Sequence, residues 1–120
     1  MKKTTLVLGA SDNVERYSNM AMKKLASHQH PIIAVGRKKA VVGETTIETE
    51  FPEVDNIDTI TLYLSAENQL PYYESILATN PKRIIFNPGT ENEELAELAA
   101  SKGIHTMEAC TLVMLSTNQY

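Results

Sequence analysis

Four short, almost continuously apolar runs recur along the chain: Thr4–Gly9 (TTLVLG), Pro31–Val35 (PIIAV), Thr59–Leu64 (TITLYL) and Arg83–Phe86 (RIIF). Each is stopped by Gly, Pro or a polar cluster. Runs this short that do not alternate with polar residues read as strands buried on both faces. Strands of that kind belong to parallel sheets covered by helices above and below. A fifth and weaker run, Ile104–Met107, predicts a last strand. Gly43–Phe51 alternates weakly and is rich in Thr, which suggests a short edge strand or hairpin.

The segments between the runs have helical spacing. From Tyr17 to Ser27, Tyr17, Met20, Ala21 and Leu25 fall on one face, with Lys23 and Lys24 off it. Gln69–Thr79 places Leu70, Tyr73, Ile76 and Leu77 together, and Pro71 stands in the first turn, where Pro is tolerated. Thr90 with Glu93 three residues on predicts a capping box. The helix it opens has Leu95, Leu98 and Ala99 on its inner face and Gly103 at its end. Ala109–Ser116 is apolar without a defining period. The expected architecture is one α/β domain over residues 1–120, a Rossmann-like three-layer α/β/α sandwich with a mostly parallel sheet. In such sheets ligands bind beyond the carboxyl ends of the strands, where the strand order switches. The loops that matter are then Gly9–Ser18, Gly36–Gly43, Ser65–Asn68 and Asn87–Thr90.

Length and composition remove other classes. At 120 residues the chain buries roughly two thirds of its unfolded surface, enough for a core without disulfides or metal. One Cys rules out a disulfide framework and agrees with a reducing, cytoplasmic setting. No stretch approaches the ~20 apolar residues of a membrane span. The basic start MKKTTLVLGASDN has an apolar run broken after six residues by Ser11 and Asp12, too short for a secretion signal. A net charge of -4 argues against general nucleic-acid binding. The charge is uneven: residues 1–39 carry eight of the 11 Lys and Arg and only two of the 15 acids, so that half sums to +6 and the rest to -10. A basic first half in an acidic chain suggests a local anion site.

Two loops could form it. Gly9-Ala10-Ser11 follows a strand and precedes a helix, so Ser11 and the free amides there could face a phosphate; a plain strand-to-helix turn fits equally. A dinucleotide fingerprint would place Gly at 9, 11 and 14, whereas the chain has Gly9, Ser11 and Val14. After the second strand, where NAD-binding sheets carry a ribose-binding acid, the sequence is Gly36-Arg37-Lys38-Lys39. Consecutive cations suit a ribose phosphate, either the 2′-phosphate of NADP or the 3′-phosphate of coenzyme A. Lys38 is expected to point away from its neighbours.

A catalytic set is harder to find. Cys110 lies in the apolar context EACTLVML and reads as structural. His28 and His30 lack further ligands at metal spacing. Glu91, Glu93, Glu94 and Glu97 crowd the first turns of a helix, where they favour its dipole.

Taken together, LVLGASDNVERYSN at the start, Val41–Glu44 (VVGE), Phe51–Asp58 (FPEVDNID), Asn87–Leu95 (NPGTENEEL) and Gly103–Cys110 (GIHTMEAC) carry a specific likeness. The chain resembles the small stand-alone coenzyme A-binding domain proteins, which are similar to the CoA-binding domain of the succinyl-CoA synthetase α subunit. The resemblance implies a Rossmann fold holding CoA. Gly9, Ala10 and Ser11 would meet the diphosphate, with Arg16, Tyr17 and Ser18 beside it. Gly36, Arg37 and Lys39 would border the adenosine and its 3′-phosphate. Ser65, Pro88 and Gly89 would line the path toward the pantetheine. The chain departs from that family's usual pattern at Ala34-Val35-Gly36-Arg37, where Pro-Val-Asn-Pro is common, and at Leu64, where Arg is common.

The expected function is therefore non-catalytic binding of coenzyme A or an acyl-CoA, as a sensor or carrier of a small-molecule ligand. The alternative is an NADP-binding oxidoreductase or a regulatory nucleotide-binding domain. An oxidoreductase normally needs a second domain to position its substrate, and an acyl-CoA ligase needs a nucleotide-grasp domain; 120 residues leave no room for either.

Overall fold

In the first strand of the computed structural model, which describes residues 2–120, Leu6 and Leu8 join one apolar cluster and Val7 joins another. Alternate residues of a strand point to opposite faces, so this strand is buried on both sides. The elements run β1 (Thr5–Ala10), α1 (Tyr17–Ser27), β2 (Ile32–Gly36), β3 (Ala40–Val42), β4 (Thr45–Glu48), β5 (Thr59–Leu62) and α2 (Ala66–Gln69). A 3-10 turn (Leu70–Tyr72) leads into α3 (Tyr73–Thr79), β6 (Arg83–Phe86), α4 (Glu93–Ser101), β7 (His105–Glu108) and α5 (Thr111–Ser116).

The seven strands form one sheet in the order β3-β4-β2-β1-β5-β6-β7. The β3–β4 hairpin is antiparallel and every other pair is parallel. The chain steps outward from β1 to β2, then returns to the far side of β1 with β5. Right-handed crossovers in opposite directions put their helices on opposite faces. Met22 and Leu25 of α1 and Leu115 of α5 accordingly pack on Val7, Ala34 and Ile47. Ile76 of α3 and Leu95 and Ala99 of α4 pack on Leu6, Leu8, Ile60 and Ile84. This is the Rossmann-like sandwich that the alternation of runs and helices implied.

Four local readings are corrected. In α1 the buried residues are Ser18, Asn19, Ala21, Met22 and Leu25, while Tyr17 is 69% exposed and Met20 38% exposed. The helix is turned because Asn19 donates its side-chain N–H to the Ser11 carbonyl at 3.0 Å, tying the loop to the helix. The helix expected over 69–79 begins earlier, at Ala66, and is interrupted by the 3-10 turn that holds Pro71; Leu70 is left exposed. Asn92, not Thr90, caps α4: its Oδ1 accepts from the Leu95 amide at 3.2 Å, and Thr90 instead donates its hydroxyl to the Asn87 carbonyl at 2.7 Å. Leu98 faces solvent rather than the core. At the other end, the Gly103 amide reaches the Ala100 carbonyl and the Ile104 amide reaches that of Ala99, both at 3.0 Å, which is the Schellman closure. The undecided tail is α5, whose Thr111 hydroxyl lies 2.8 Å from that of Thr61 in β5.

Candidate functional site

The order of strands switches at β1, which has β2 on one side and β5 on the other. Their outgoing loops therefore diverge over the carboxyl edge of the sheet and leave a groove. Its volume is about 620 Å³, within the range of small-molecule sites, about 300–1,000 Å³.

Gly9 closes the floor. Its φ is +96°, and a Cβ built there would stand 2.9 Å from the Tyr63 carbonyl carbon and 3.2 Å from Leu64 Cδ2. β1 and β5 approach so closely because the Tyr63 amide donates to the Leu8 carbonyl at 2.8 Å. The same residue marks the irregularity in pairing with β2 between Leu8 and Ala10.

The β1–α1 loop makes the first wall. Ser11 Oγ accepts from the Asn13 amide at 3.0 Å, which leaves the hydroxyl proton to donate. Asn13 Oδ1 accepts from the Glu15 amide at 2.9 Å, and the Asn13 carbonyl accepts from the Arg16 amide at 3.0 Å. Arg16 stands at the N-cap of α1, with no side-chain cap and no acid in the first turn. The free amides and positive dipole end of this helix are left without an anion of their own. α4 differs, with Asn92 as cap and Glu93 and Glu94 in its first turn. Ala10, Tyr17 and Ser18 complete this wall.

The β2–β3 turn adds Arg37 and Lys38. Lys38 Nζ lies 3.5 Å from Asp12 Oδ2, and both groups are well exposed. Lys39, a sequence candidate, turns the other way and pairs with Glu48 at 3.5 Å on β4. Thus Lys38, expected to point away, lines the groove and Lys39 does not. Gly36 also lies off the groove; a Cβ there would strike the Ala10 carbonyl and lie 2.9 Å from Ile47 Cγ2, so it is Gly to let β2 pack at the end of β1.

Opposite stand the loops after β5 and β6, with Ser65, Asn68, Pro88, Gly89 and Thr90. They are joined by a buried network. Gln69, fully buried, donates from Nε2 to the Leu64 and Thr90 carbonyls, both at 2.8 Å. Its Oε1 accepts from Asn92 Nδ2 at 2.8 Å, and Asn92 also donates to the Tyr73 hydroxyl at 2.8 Å. Asn87 Nδ2 donates to Thr61 Oγ1 at 2.7 Å and the Leu62 carbonyl at 2.9 Å. Asn87 Oδ1 receives the Thr111 amide at 2.9 Å. Tyr63 borders the groove, but its side chain packs into the apolar cluster under α1 and its hydroxyl is buried without a hydrogen-bond partner; burial pushes this phenol up to about 12.

Ten of the twelve sequence candidates thus border one groove: Gly9, Ala10, Ser11, Arg16, Tyr17, Ser18, Arg37, Ser65, Pro88 and Gly89. Asp12, Asn13, Lys38, Asn68 and Thr90 join them from the loops already singled out. Tyr63 carries no such signal, because it reads as the end of an apolar strand, and Leu64 is marked only as a departure from the Arg common in the family the sequence resembles. Cys110, half-buried at the start of α5, is not part of the lining. Among the described residues no helix is long and apolar enough to cross a membrane.

Comparison with known proteins follows the same lines. The chain is similar over its whole length to an uncharacterized protein of known crystal structure, with 49% identity and a TM-score of 0.97, covering 99% of that chain. It is similar to a hypothetical protein from Pyrococcus horikoshii OT3, with 25% identity and a TM-score of 0.85, over 97% of this chain and 82% of that one. A conserved hypothetical protein from Pyrococcus furiosus shares the fold at 24% identity, with a TM-score of 0.77 over 94% and 98% of the two chains. Residues 3–116 match the family described as CoA binding domain, and the chain belongs to that family.

Proposed function

We propose that this protein binds coenzyme A or an acyl-CoA in the groove at the carboxyl edge of β1 and β5, as a sensor or carrier, and catalyses no reaction itself. The observation that carries this reading is the donor set. Arg16, Arg37 and Lys38 converge on the wall that also holds Ser11 and the uncapped start of α1. A diphosphate needs such a combination of oriented N–H groups and cations. Gly9, Ala10, Ser11 and Ser18 border the diphosphate in this reading, and Tyr17 offers an exposed ring beside it. Arg37 and Lys38 meet the phosphate on the ribose. No carboxylate follows β2 to accept ribose hydroxyls, which distinguishes the site from a typical NAD site. Among the described lining residues there is no His or Cys, and the one carboxylate, Asp12, faces Lys38. That favours binding over chemistry.

Calorimetric titration with CoA, dephospho-CoA and NADP tests this. CoA is expected to bind about tenfold tighter than dephospho-CoA at low ionic strength, the effect of one partly screened charge-assisted contact. Arg37→Ala should remove most of that preference. Equal affinity for the two ligands would refute the role given to the 3′-phosphate, and tight NADP binding without CoA binding would replace the ligand.

A further inference from the structure

The two walls of the groove carry different charge, and we infer that the ligand's acyl end must be uncharged: the protein accepts short neutral acyl thioesters of CoA and discriminates against acyl chains ending in a carboxylate, with Glu91 as the discriminating residue. This rests on the CoA reading and specifies its substrate class. The cations of the described lining, Arg16, Arg37 and Lys38, all lie on the loops after β1 and β2. The polyphosphate end of a ligand is held there. β6 stands three strands from β2 in the sheet, about 14 Å at the usual strand spacing. An extended ligand anchored at the cationic wall therefore brings its other end to the loops after β5 and β6.

That end meets no positive charge. It meets Ser65, Asn68, Pro88, Thr90 and Gly89. Gly89 is the point of interest. Its amide donates to both carboxylate oxygens of Glu91, at 3.0 and 3.3 Å, so a full negative charge sits against the lip of the groove. Glu93 and Glu94 follow at the start of α4. After residue 39 the chain has only three cations, Lys82, Arg83 and Lys102. All three stand at the opposite edge of the sheet: Lys82 and Arg83 where β6 begins, and Lys102 where α4 ends. Lys82 lies 4.0 Å from Asp58, and Arg83 bonds Thr59 Oγ1 and stacks on the Tyr120 ring. None is placed to offset Glu91 or to receive a second carboxylate. A malonyl or succinyl group would be directed toward Glu91 unpaired, whereas an acetyl or butyryl group carries no charge to repel.

The test is calorimetric titration of the full chain with acetyl-CoA, malonyl-CoA and succinyl-CoA, native and Glu91→Gln, at low and at high ionic strength. In the native protein acetyl-CoA should bind about fivefold tighter than either dicarboxylic thioester at low salt, as expected for two exposed like charges. The gap should narrow with salt. It should close in Glu91→Gln, whose amide oxygen keeps an acceptor for Gly89 without the charge. Succinyl-CoA binding as tightly as acetyl-CoA, or a gap that survives Glu91→Gln, would overturn the inference while leaving CoA binding intact. Failure of every thioester to bind would overturn the CoA reading along with it.

Discussion

Replacing Gln69 by Leu tests whether the wall of the groove is set by its hydrogen bonds or merely by its volume. The side chain makes three contacts at 2.8 Å, two as donor to the Leu64 and Thr90 carbonyls and one as acceptor from Asn92. Each contributes about 1 kcal/mol net. Asn92 keeps the Tyr73 hydroxyl as partner, but the bond to the Thr90 carbonyl is buried, so that acceptor is stranded. A loss of about 3 kcal/mol is expected, a large share of the ~5–15 kcal/mol that holds a domain together. At roughly 2.1 cal/mol/K per residue of unfolding entropy, Tm should fall by about 12 °C. Urea denaturation should show a lower midpoint with an unchanged slope. Gln69→Glu sharpens the test. Its carboxylate would face the same two carbonyls, and all of these groups accept hydrogen bonds. The folded state would then favour the protonated acid, raising its pKa above the unfolded value of about 4.3. The penalty should be small below that pH and grow as pH rises. A Gln69→Leu loss under about 1 kcal/mol, or a Gln69→Glu penalty independent of pH, would refute the reasoning.

Gly9→Ala should lower the unfolding free energy by about 2 kcal/mol or more, read as a lower urea midpoint, from the positive φ and the 2.9 Å approach to Tyr63; native-like stability would show that β1 and β5 can part without cost. His30 Nδ1 accepts the Lys3 amide at 3.0 Å, and its pKa is lowered by burial first and then by Lys2, His28, Lys3 and Arg83. The folded state therefore prefers neutral imidazole, so stability present above pH about 6.5 should decline as pH falls through the lowered pKa. Comparing the urea midpoints of native and His30→Gln protein on either side of that pH should show a smaller decline in the variant.

The parts of the fold legible in the sequence are those fixed by burial on both faces. β1, β2, β5 and β6 are rich in apolar residues and almost wholly buried because helices cover both sides of them. What the sequence concealed depended on side-chain hydrogen bonds between distant segments. Nothing local distinguishes Asn92 from Thr90 as the cap of α4; the choice is settled by Thr90 turning back to the Asn87 carbonyl and by Asn92 reaching Gln69 and Tyr73. The inward turn of α1 is similar, since Asn19 is buried to hold the Ser11 carbonyl at the expense of the more apolar Tyr17 and Met20.

The candidate site divides along the same line. A strand followed by Gly-Ala-Ser and a helix marks the first wall only as a candidate, since the same residues fit a plain strand-to-helix turn. The basic turn was legible as a charge cluster, but not which cation would reach the groove. Lys38 pairs with Asp12 across the groove and Lys39 with Glu48 on β4, on opposite sides of the turn. Gly9 shows why residue type alone misleads. In a phosphate-binding loop its absent side chain suggests room for a ligand, yet here the space is already taken by the Tyr63 carbonyl carbon and the Leu64 side chain. The glycine joins two strands so that the loops above them can diverge, and in the proposed reading the ligand contacts on this wall fall to Ser11, Arg16 and the start of α1.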